Sequence, residues 1–241
     1  MSVFSLEIKK ESQLPYLALL IGMFAISTSA ILIRHSNSEP LVIGSYRQAF
    51  ATLIFLPFII KDRGEEIRSQ SYVTLFEMIL TGILLGAHFS FFITSVKETS
   101  VAASVLLATC HVVYVAILGR FLFGEILSRE AIIGTSIALA GILILFGGDL
   151  LDNPGNFRGN LFAFISGILA GLYYLSGRKL RKIISLPTYA FVVYLFSFLT
   201  MFAVVLIQNL SYSNLPIAEI QLFLLMALIP TLLGHTMQNW A

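Results

Sequence analysis

The sequence predicts an all-α integral membrane protein, a polytopic bundle of about eight transmembrane helices. Three observations support this prediction. Hydrophobic residues make up 57% of the 241 residues and charged residues only 12%, whereas about 25% of the residues in a soluble domain are charged. The mean hydropathy is +0.89. From Ile183 to Ala218 the chain contains no Asp, Glu, Lys or Arg, and about 20 apolar helical residues cross a hydrocarbon core of ~30 Å.

Eight apolar stretches are expected as membrane spans, separated by short polar connectors that contain helix-breaking residues. The first is too long for a signal-peptide core and no small-residue cleavage pattern follows it, so it is expected to be retained. Pro57 and Pro230 are expected to kink their spans. Gly82 and Gly86 form a G-x-x-x-G pair typical of close helix packing. The expected spans are residues 14–33, 41–60, 72–95, 99–118, 131–147, 159–177, 187–207 and 218–240.

The basic residues predict the orientation of these spans. With the N-terminus inside, eleven basic residues lie on the cytosolic side and only three lie outside. Cytosolic connectors carry an excess of Lys and Arg, so the N-terminus is expected in the cytosol of a multi-pass protein of the plasma (inner) membrane. The eleven are Lys9, Lys10, Lys61, Arg63, Arg68, Arg120, Arg129, Arg178, Lys179, Arg181 and Lys182, and the three are Arg34, Lys97 and Arg158.

An internal repeat is the next expectation. Pro40 recurs as Pro187 and His88 as His235, each 147 residues later, and Leu84-Leu85-Gly86 recurs 148 residues later. Five spans separate the copies, and an odd number inverts the second copy relative to the first. The expected units are residues 1–148, with spans 1–5, and residues 149–241, with spans 6–8. The second repeat is expected to be truncated, and about 50 further residues with two more spans would complete it.

The fourth span resembles a known family. The segment from Ser104 to Glu125, which closes with Gly124-Glu125, and the following helix, which reads Ala-Gly-Ile-Leu-Ile-Leu up to Leu145, resemble the EamA-type domain of the drug/metabolite transporter superfamily. The resemblance extends over nearly the whole chain. It implies two five-helix domains, ten spans and cytosolic termini, with Gly124-Glu125 in a cytosolic turn. It also implies export of amino acids or related metabolites.

Parts of this resemblance concern a binding site. Family members often have a Glu-Pro pair in the middle of the fourth span, whereas this chain has His111-Val112 there. A carboxylate-based coupling mechanism is therefore not carried over, and a titratable imidazole is the expected substitute. Arg47, which follows Tyr46, matches a position where the family tends to have Arg. The stretch from Gly234 to Trp240 resembles the eighth span of some members.

Ionisable residues inside spans are functional candidates because burying them in lipid is costly. Arg47 is expected roughly 10 Å below the outer surface. It either extends to the outer headgroups or faces a central cavity as a fixed positive charge, suited to a carboxylate or phosphate group. His111 is expected about 18 Å deep. It is either a neutral imidazole bonded to a neighbouring helix, or a substrate contact or proton carrier. Glu77 is expected to reach the cytosolic interface.

The remaining candidate substrate-binding residues are His88, His235 and a set of aromatic and amide side chains. The two histidines are expected at equivalent depths in the two copies, either as packing residues or as paired gates. The aromatic and amide side chains near these depths are expected to line a cavity and orient an apolar or zwitterionic solute. They are Tyr46, Tyr114, Tyr173, Tyr174, Asn239 and Trp240.

The predicted function is secondary transport by alternating access, with the lipid bilayer and a small-molecule metabolite as partners. The sequence contains no Walker loop, metal-binding H-E-x-x-H helix or nucleophile elbow, which argues against an ATP-driven pump or a hydrolase. No catalytic residue, cofactor, metal or nucleic acid is expected. One alternative is an intramembrane enzyme that acts on a lipid-linked substrate with His88 or His111 as base. The other is a truncated, non-transporting fragment that needs a missing C-terminal segment or a second chain.

Overall fold

The part of the chain that the structure describes contains eight helices of membrane-spanning length. The computed structural model describes residues 13–124, 126–152 and 154–240, and these residues contain helices and no strand. The predicted polytopic all-α fold is confirmed. Lys9, Lys10 and Glu125 lie outside the described residues. The helices long and apolar enough to cross a membrane, numbered as spans 1 to 8, are Leu14–His35, Pro40–Lys61, Tyr72–Glu98, Val101–Phe121, Arg129–Gly148, Phe157–Leu180, Leu186–Ile207 and Ile217–Trp240.

The span boundaries follow local chain chemistry and lie within three residues of the predicted ones. Spans 2 and 7 begin with Pro40 and Pro187 in their first turns, where a missing N–H costs nothing. The side chain of Ser71 accepts a hydrogen bond from the Thr74 amide at the start of span 3. Ser100 caps span 4 in the same way. Caps of this kind satisfy amides that have no partner inside the helix.

Three spans are irregular. Kinks were expected at Pro57 and Pro230. A π-helical turn follows Pro57, and Pro230 lies inside another. Proline causes such irregularity because it removes one backbone N–H donor from the hydrogen bonds of the α-helix. The break in span 4 at Cys110 was not predicted. The α-helix of span 2, Pro40–Phe58, runs into a π-helix at Ile59–Arg63, and a separate short helix, Gly64–Arg68, follows in the connector to span 3. Span 4 consists of Val101–Thr109 and His111–Phe123. Span 8 consists of Ile217–Met226, a π-helix at Ala227–Thr236, and Met237–Trp240.

The bundle is built around packed pairs of spans. Span 3 packs on spans 6 and 7, span 2 on span 7, span 1 on span 8 and span 4 on span 6, whereas span 5 lies at the edge. The end at which span 1 begins is called the N-terminal face, and it carries connectors 62–71 and 181–185. The opposite end is called the far face, and it carries connectors 36–39 and 208–216. The core lies where spans 2, 3, 6 and 7 meet.

Glycines allow the closest helix contacts, as the G-x-x-x-G pairs predicted. A Cβ atom added at Gly86 would lie 2.8 Å from the Ser197 carbonyl oxygen of span 7, and one at Gly82 would lie 2.8 Å from the Val193 carbonyl oxygen. These neighbours are backbone atoms that cannot rotate away. Spans 3 and 7 therefore need glycine at both positions.

Replacing Gly86 by alanine should separate spans 3 and 7. We expect Gly86→Ala to destabilise the protein by about 1–3 kcal/mol, as overpacking does in well-packed cores. Thermal unfolding in detergent micelles measures the loss. The matched control is Gly141→Ala in span 5, where an added Cβ meets nothing within 4 Å. Equal stability of the two variants would contradict the close packing of spans 3 and 7.

Candidate functional site

A cavity of about 380 Å³ lies between spans 1, 3, 4, 6 and 8. It opens at the side of the bundle, where the lining residues Met23 and Val112 are exposed. Its lining is mostly apolar and includes Phe89 and Phe92, and no carboxylate contributes to it among the described residues. Three of the four histidines of the chain meet at this cavity. The polar lining residues are Ser27, Ser29, His88, Thr109, His111, Tyr174, His235 and Gln238.

His88 projects from span 3 and is held by span 6. Its Nδ1 atom lies 3.0 Å from the Ser166 carbonyl oxygen and 2.9 Å from the Ser166 hydroxyl. A carbonyl oxygen can only accept, so this contact assigns the proton to Nδ1. In the neutral ring, Nε2 is then a hydrogen-bond acceptor.

His111 lies at the break in span 4. Cys110 has φ −61° and ψ 0°, which ends the first helix and lets a second helix begin at His111. The Nδ1 atom of His111 lies 3.2 Å from the Ala108 carbonyl oxygen, and the same reasoning places the proton on Nδ1. The predicted bond to a neighbouring helix is therefore wrong for Nδ1, which bonds the first half of its own span. The ring lies 4.9 Å from the ring of Tyr174.

His235 takes part in a short hydrogen-bonded chain. The Tyr174 hydroxyl donates to the Gln238 side-chain oxygen, and the Nδ1 atom of His235 lies 3.2 Å from the same hydroxyl oxygen. Because the tyrosine proton is directed at Gln238, His235 Nδ1 is the donor to Tyr174. Spans 6 and 8 are thereby joined beside the cavity.

The three imidazoles have the same hydrogen-bonding state. Each donates through Nδ1, and no Nε2 atom has a hydrogen-bond partner among the described residues. The ring centroids of His88 and His235 are 6.3 Å apart, so they belong to one site and do not form gates at separate depths. In its neutral form, each ring would offer its Nε2 atom as a hydrogen-bond acceptor.

Arg47 lies directly behind the cavity wall. Its side chain is fully buried, so the predicted alternative in which it extends to the headgroups is wrong. Nη1 donates to the Ser29 hydroxyl over 3.1 Å, and the guanidinium lies 4.2 Å from the centre of the Phe89 ring. Ser29 and Phe89 both line the cavity. Nη2 has no partner among the described residues, and no carboxylate within them pairs with Arg47.

Thr231 fixes the position of Arg47. Its hydroxyl accepts from Arg47 Nε over 2.6 Å and donates to the Met226 carbonyl oxygen over 3.0 Å. That carbonyl lies five residues earlier, which is the spacing of the π-helix that contains Pro230. The irregular turn thus places the Thr231 hydroxyl where it can bond both Arg47 and the Met226 carbonyl oxygen.

The other predicted site residues lie outside the cavity lining. Asn239 donates to the Tyr173 hydroxyl over 2.6 Å, and this pair forms a layer next to the cavity on the side of the N-terminal face.

The remaining predicted residues also lie outside the cavity lining. The Tyr46 hydroxyl donates to the Tyr212 carbonyl oxygen at the far face. Tyr114 packs in the interface of spans 4 and 6, edge-on to Phe164. Trp240 is 46% exposed. Glu77 accepts from Lys179 at the N-terminal face, the side where it was expected.

Comparison with known proteins decides the family. The EamA-like transporter family matches residues 13–147, more than half of the chain. The chain belongs to the EamA-like transporter family. It is therefore a multi-pass membrane protein of a transporter family, as the resemblance in span 4 implied.

Two curated relatives of this EamA-like chain are named uncharacterized transporters. One, from Archaeoglobus fulgidus, is 29% identical over 121 residues, which cover 49% of this chain and 43% of the relative. The other, from Helicobacter pylori, is 24% identical over 163 residues, which cover 66% of this chain and 52% of the relative. The chain spans about half the length of the curated relatives that it matches.

A solved crystal structure has the same fold. It superposes on this EamA-like chain with a TM-score of 0.67 at 19% sequence identity, and the match covers 94% of this chain and 78% of the other. At this identity the likeness bears on the fold alone.

Sequence reasoning missed several residues of the site. Ser29, Phe89 and Gln238 line the cavity but are ordinary residues of apolar spans. Thr231 follows Pro230 directly, and a hydroxyl beside an intramembrane proline was a usable signal, because such prolines leave a carbonyl to be satisfied. Nothing in the sequence pairs Ser29 with Arg47.

Thr231 should be required to hold Arg47. We expect Thr231→Val to cost about 1–3 kcal/mol, because it leaves the buried Nε donor of Arg47 unsatisfied. Thr231→Ser should recover most of the loss. The measurement is thermal unfolding of the purified protein. In the control, Thr200→Val removes a half-buried hydroxyl that bonds only a carbonyl of its own helix. A loss of stability in Thr231→Val no larger than in this control would contradict the assignment.

Proposed function

We propose that this EamA-like chain is the substrate-binding part of a secondary transporter that exports small metabolites, such as amino acids, across the plasma membrane by alternating access. The observation that carries the proposal is the cavity, in which three imidazoles meet beside a buried guanidinium that lacks an anionic partner among the described residues. A buried charge is normally paired. A bound anionic group supplies the missing partner. Export is the direction implied by the resemblance to the family.

Ser29 connects the guanidinium to the cavity. Its oxygen accepts from Arg47, which leaves its O–H to donate into the cavity that it lines. A hydroxyl polarised by a cation is a strong donor for a carboxylate. Direct contact between Arg47 and a ligand requires Ser29 or Phe89 to move, because both stand between the guanidinium and the cavity.

The imidazoles suit the other end of a zwitterion. Three Nε2 acceptors can receive the N–H groups of an ammonium or amide, while Ser29 and Arg47 receive a carboxylate. The volume of about 380 Å³ lies at the lower end of the range for small-molecule sites, about 300–1,000 Å³. The aromatic and aliphatic lining accommodates an apolar side chain between the two polar ends.

A transport assay tests this assignment. In vesicles reconstituted with the protein and loaded with radiolabelled amino acids, Ser29→Ala should lower the initial rate at low substrate concentration by roughly tenfold, since a hydrogen bond to a charged group is worth about 1.5–3 kcal/mol. Arg47→Ala and His111→Ala should lower it at least as far. The controls are Ser136→Ala, an exposed serine of span 5, and His35→Ala, the exposed fourth histidine. Unchanged transport in all three cavity variants would refute the site.

The orientation with a cytosolic N-terminus is supported by the charge distribution. Nine basic residues among the described ones lie at or near the N-terminal face, and Arg34, Lys97 and Arg158 lie near the far face. Such an excess marks the cytosolic side. We therefore assign the N-terminal face to the cytosol.

Cysteine labelling of intact cells checks this orientation. With Cys110 replaced by serine, Ser213→Cys at the far face should react with an impermeant thiol reagent, and Ser69→Cys at the N-terminal face should react only after lysis. Both serines are exposed, so accessibility within the fold is matched. The reverse pattern would place the N-terminus outside.

The two inverted units, residues 1–148 and 149–241, form part of the proposal. Helix contacts that recur in the two units support it: span 3 packs on span 6 as span 8 packs on span 1. Residues 147 apart hold comparable places, as His88 and His235 do at the cavity. Alternating access by rocking of two inverted units about a central site is the general mechanism of such transporters.

Transport is proposed in preference to catalysis. The cavity lining among the described residues provides histidines and hydroxyls but no carboxylate that could orient a histidine as a catalytic base. Because the chain spans about half of its relatives, the activity of the whole protein is itself part of the proposal.

A further inference from the structure

A carboxylate at the N-terminal face binds the start of span 7. Glu66, in the short helix between spans 2 and 3, accepts from the Ser185 amide over 2.8 Å, from the Ser185 hydroxyl over 2.5 Å and from the Thr188 hydroxyl over 2.6 Å. Burial by itself raises the pKa of Glu66, but the hydrogen bonds from Ser185 and Thr188 outweigh it and hold the pKa below its ordinary value. The carboxylate is charged and engages three donors at once.

A second carboxylate, at the far face, binds the connector that precedes span 2. Glu219, at the start of span 8, accepts from the Asn37 amide over 2.9 Å, from the Ser36 hydroxyl over 2.5 Å and from the Ser38 hydroxyl over 2.8 Å. These donors belong to the connector that leads into span 2 at Pro40. Charge-assisted bonds of this kind are roughly twice as strong as neutral ones.

The two contacts occupy equivalent places in the chain. Ser38 and Ser185 are 147 residues apart, and each stands two residues before the proline that begins span 2 or span 7. Glu66 lies just before span 3, which follows span 2 in the chain. Glu219 lies in the first turn of span 8, which follows span 7. Five spans lie between the two serines, so the contacts lie on opposite faces of the bundle.

The position of each contact fits a gate. At the N-terminal face, Glu66 links the connector between spans 2 and 3 to the connector between spans 6 and 7. At the far face, Glu219 links span 8 to the connector between spans 1 and 2. Each link joins one unit of the chain to the other. Opening a path from the cavity to either face requires the units to separate at that face, so the corresponding carboxylate must release its donors.

We propose that Glu66 and Glu219 are the two gating residues of the transport cycle, each holding one face closed through a serine that precedes span 7 or span 2. The proposal rests on the transport function proposed above. Both contacts are formed in this structure. In the cycle they open alternately, so that weakening one favours the state open at its own face and disfavours the state open at the other.

Thiol reactivity at two buried reporters tests the proposal in the purified protein without substrate. With Cys110 replaced by serine, Ala190→Cys reports on the N-terminal face and Val42→Cys on the far face. Both side chains are buried, near the starts of spans 7 and 2. Glu66→Ala should raise the reaction rate at Ala190→Cys by about tenfold, the equivalent of about one charge-assisted hydrogen bond. It should also lower the rate at Val42→Cys.

Glu219→Ala should produce the opposite pair of changes, and the double variant should raise both rates, because it weakens both contacts of the closed state. The matched controls are Glu65→Ala at the N-terminal face and Glu39→Ala at the far face. Both glutamates are exposed, and Glu39 makes no capping hydrogen bond. Neither control should change either rate. Changes confined to the reporter nearest each substitution, or changes in the same direction for both carboxylates, would overturn the proposal.

Two further measurements separate gating from folding and from transport. Ser185→Ala and Ser38→Ala remove one donor each, so they should give smaller shifts of the same sign in a protein that remains monodisperse by size-exclusion chromatography. Unchanged thiol reaction rates in these variants would also overturn the proposal that Glu66 and Glu219 are gating residues. Opposite shifts combined with no transport of any amino acid would refute the proposed substrates while leaving the gates intact.

Discussion

The burial of one arginine is the constraint on which the site depends. A guanidinium inside a membrane-spanning bundle costs about 2.5–3.5 kcal/mol on insertion scales, so its surroundings must supply partners. Arg47 on span 2 draws these from Thr231 on span 8 and Ser29 on span 1, and its face rests on the Phe89 ring of span 3. One side chain thus contacts three other spans, and two of those contacts form the cavity wall. Removing the charge would loosen the site at several spans together.

Backbone irregularity is concentrated where the polar groups are. The break at Cys110 places His111 at the cavity, and the π-helix of span 8 contains both Thr231 and His235. Irregular backbone at membrane depth is tolerated where protein or a cavity satisfies its polar groups. The hydroxyl of Thr231 and the imidazole of His111 each bond a carbonyl near such an irregularity. Thr231 and His111 therefore bond backbone carbonyl groups near the irregular turns and also belong to the proposed site or its support.

The sequence predicted the fold because lipid imposes the length and apolarity of every span. It located Arg47 and the three histidines because ionisable groups are rare at this depth. It could not place Tyr46 correctly: neighbouring residues on a helix point about 100° apart, so a side chain next to Arg47 faces elsewhere and stacks on Tyr212. The contacts of Glu66 and Glu219 join residues more than 100 positions apart. No local pattern encodes such partners, so neither carboxylate was recognised as important.

The two proposed units differ at one place that matters for the proposed cycle. The residue 147 positions after Arg47 is Tyr194, whose hydroxyl lies 2.9 Å from Thr236 Oγ1 on span 8, as Arg47 bonds Thr231 on the same span. Only the contact of Arg47 carries a charge. The proposed anionic substrate gains a charge-assisted interaction with the guanidinium, whereas it would gain little from a neutral phenol. In the proposed cycle, substrate binding therefore acts mainly on Arg47, which joins span 2 to span 8 through Thr231. Those spans also meet at the far-face gate, because Glu219 begins span 8 and its donor Ser38 precedes span 2. Occupation of the site is thereby linked more directly to the far-face gate than to Glu66.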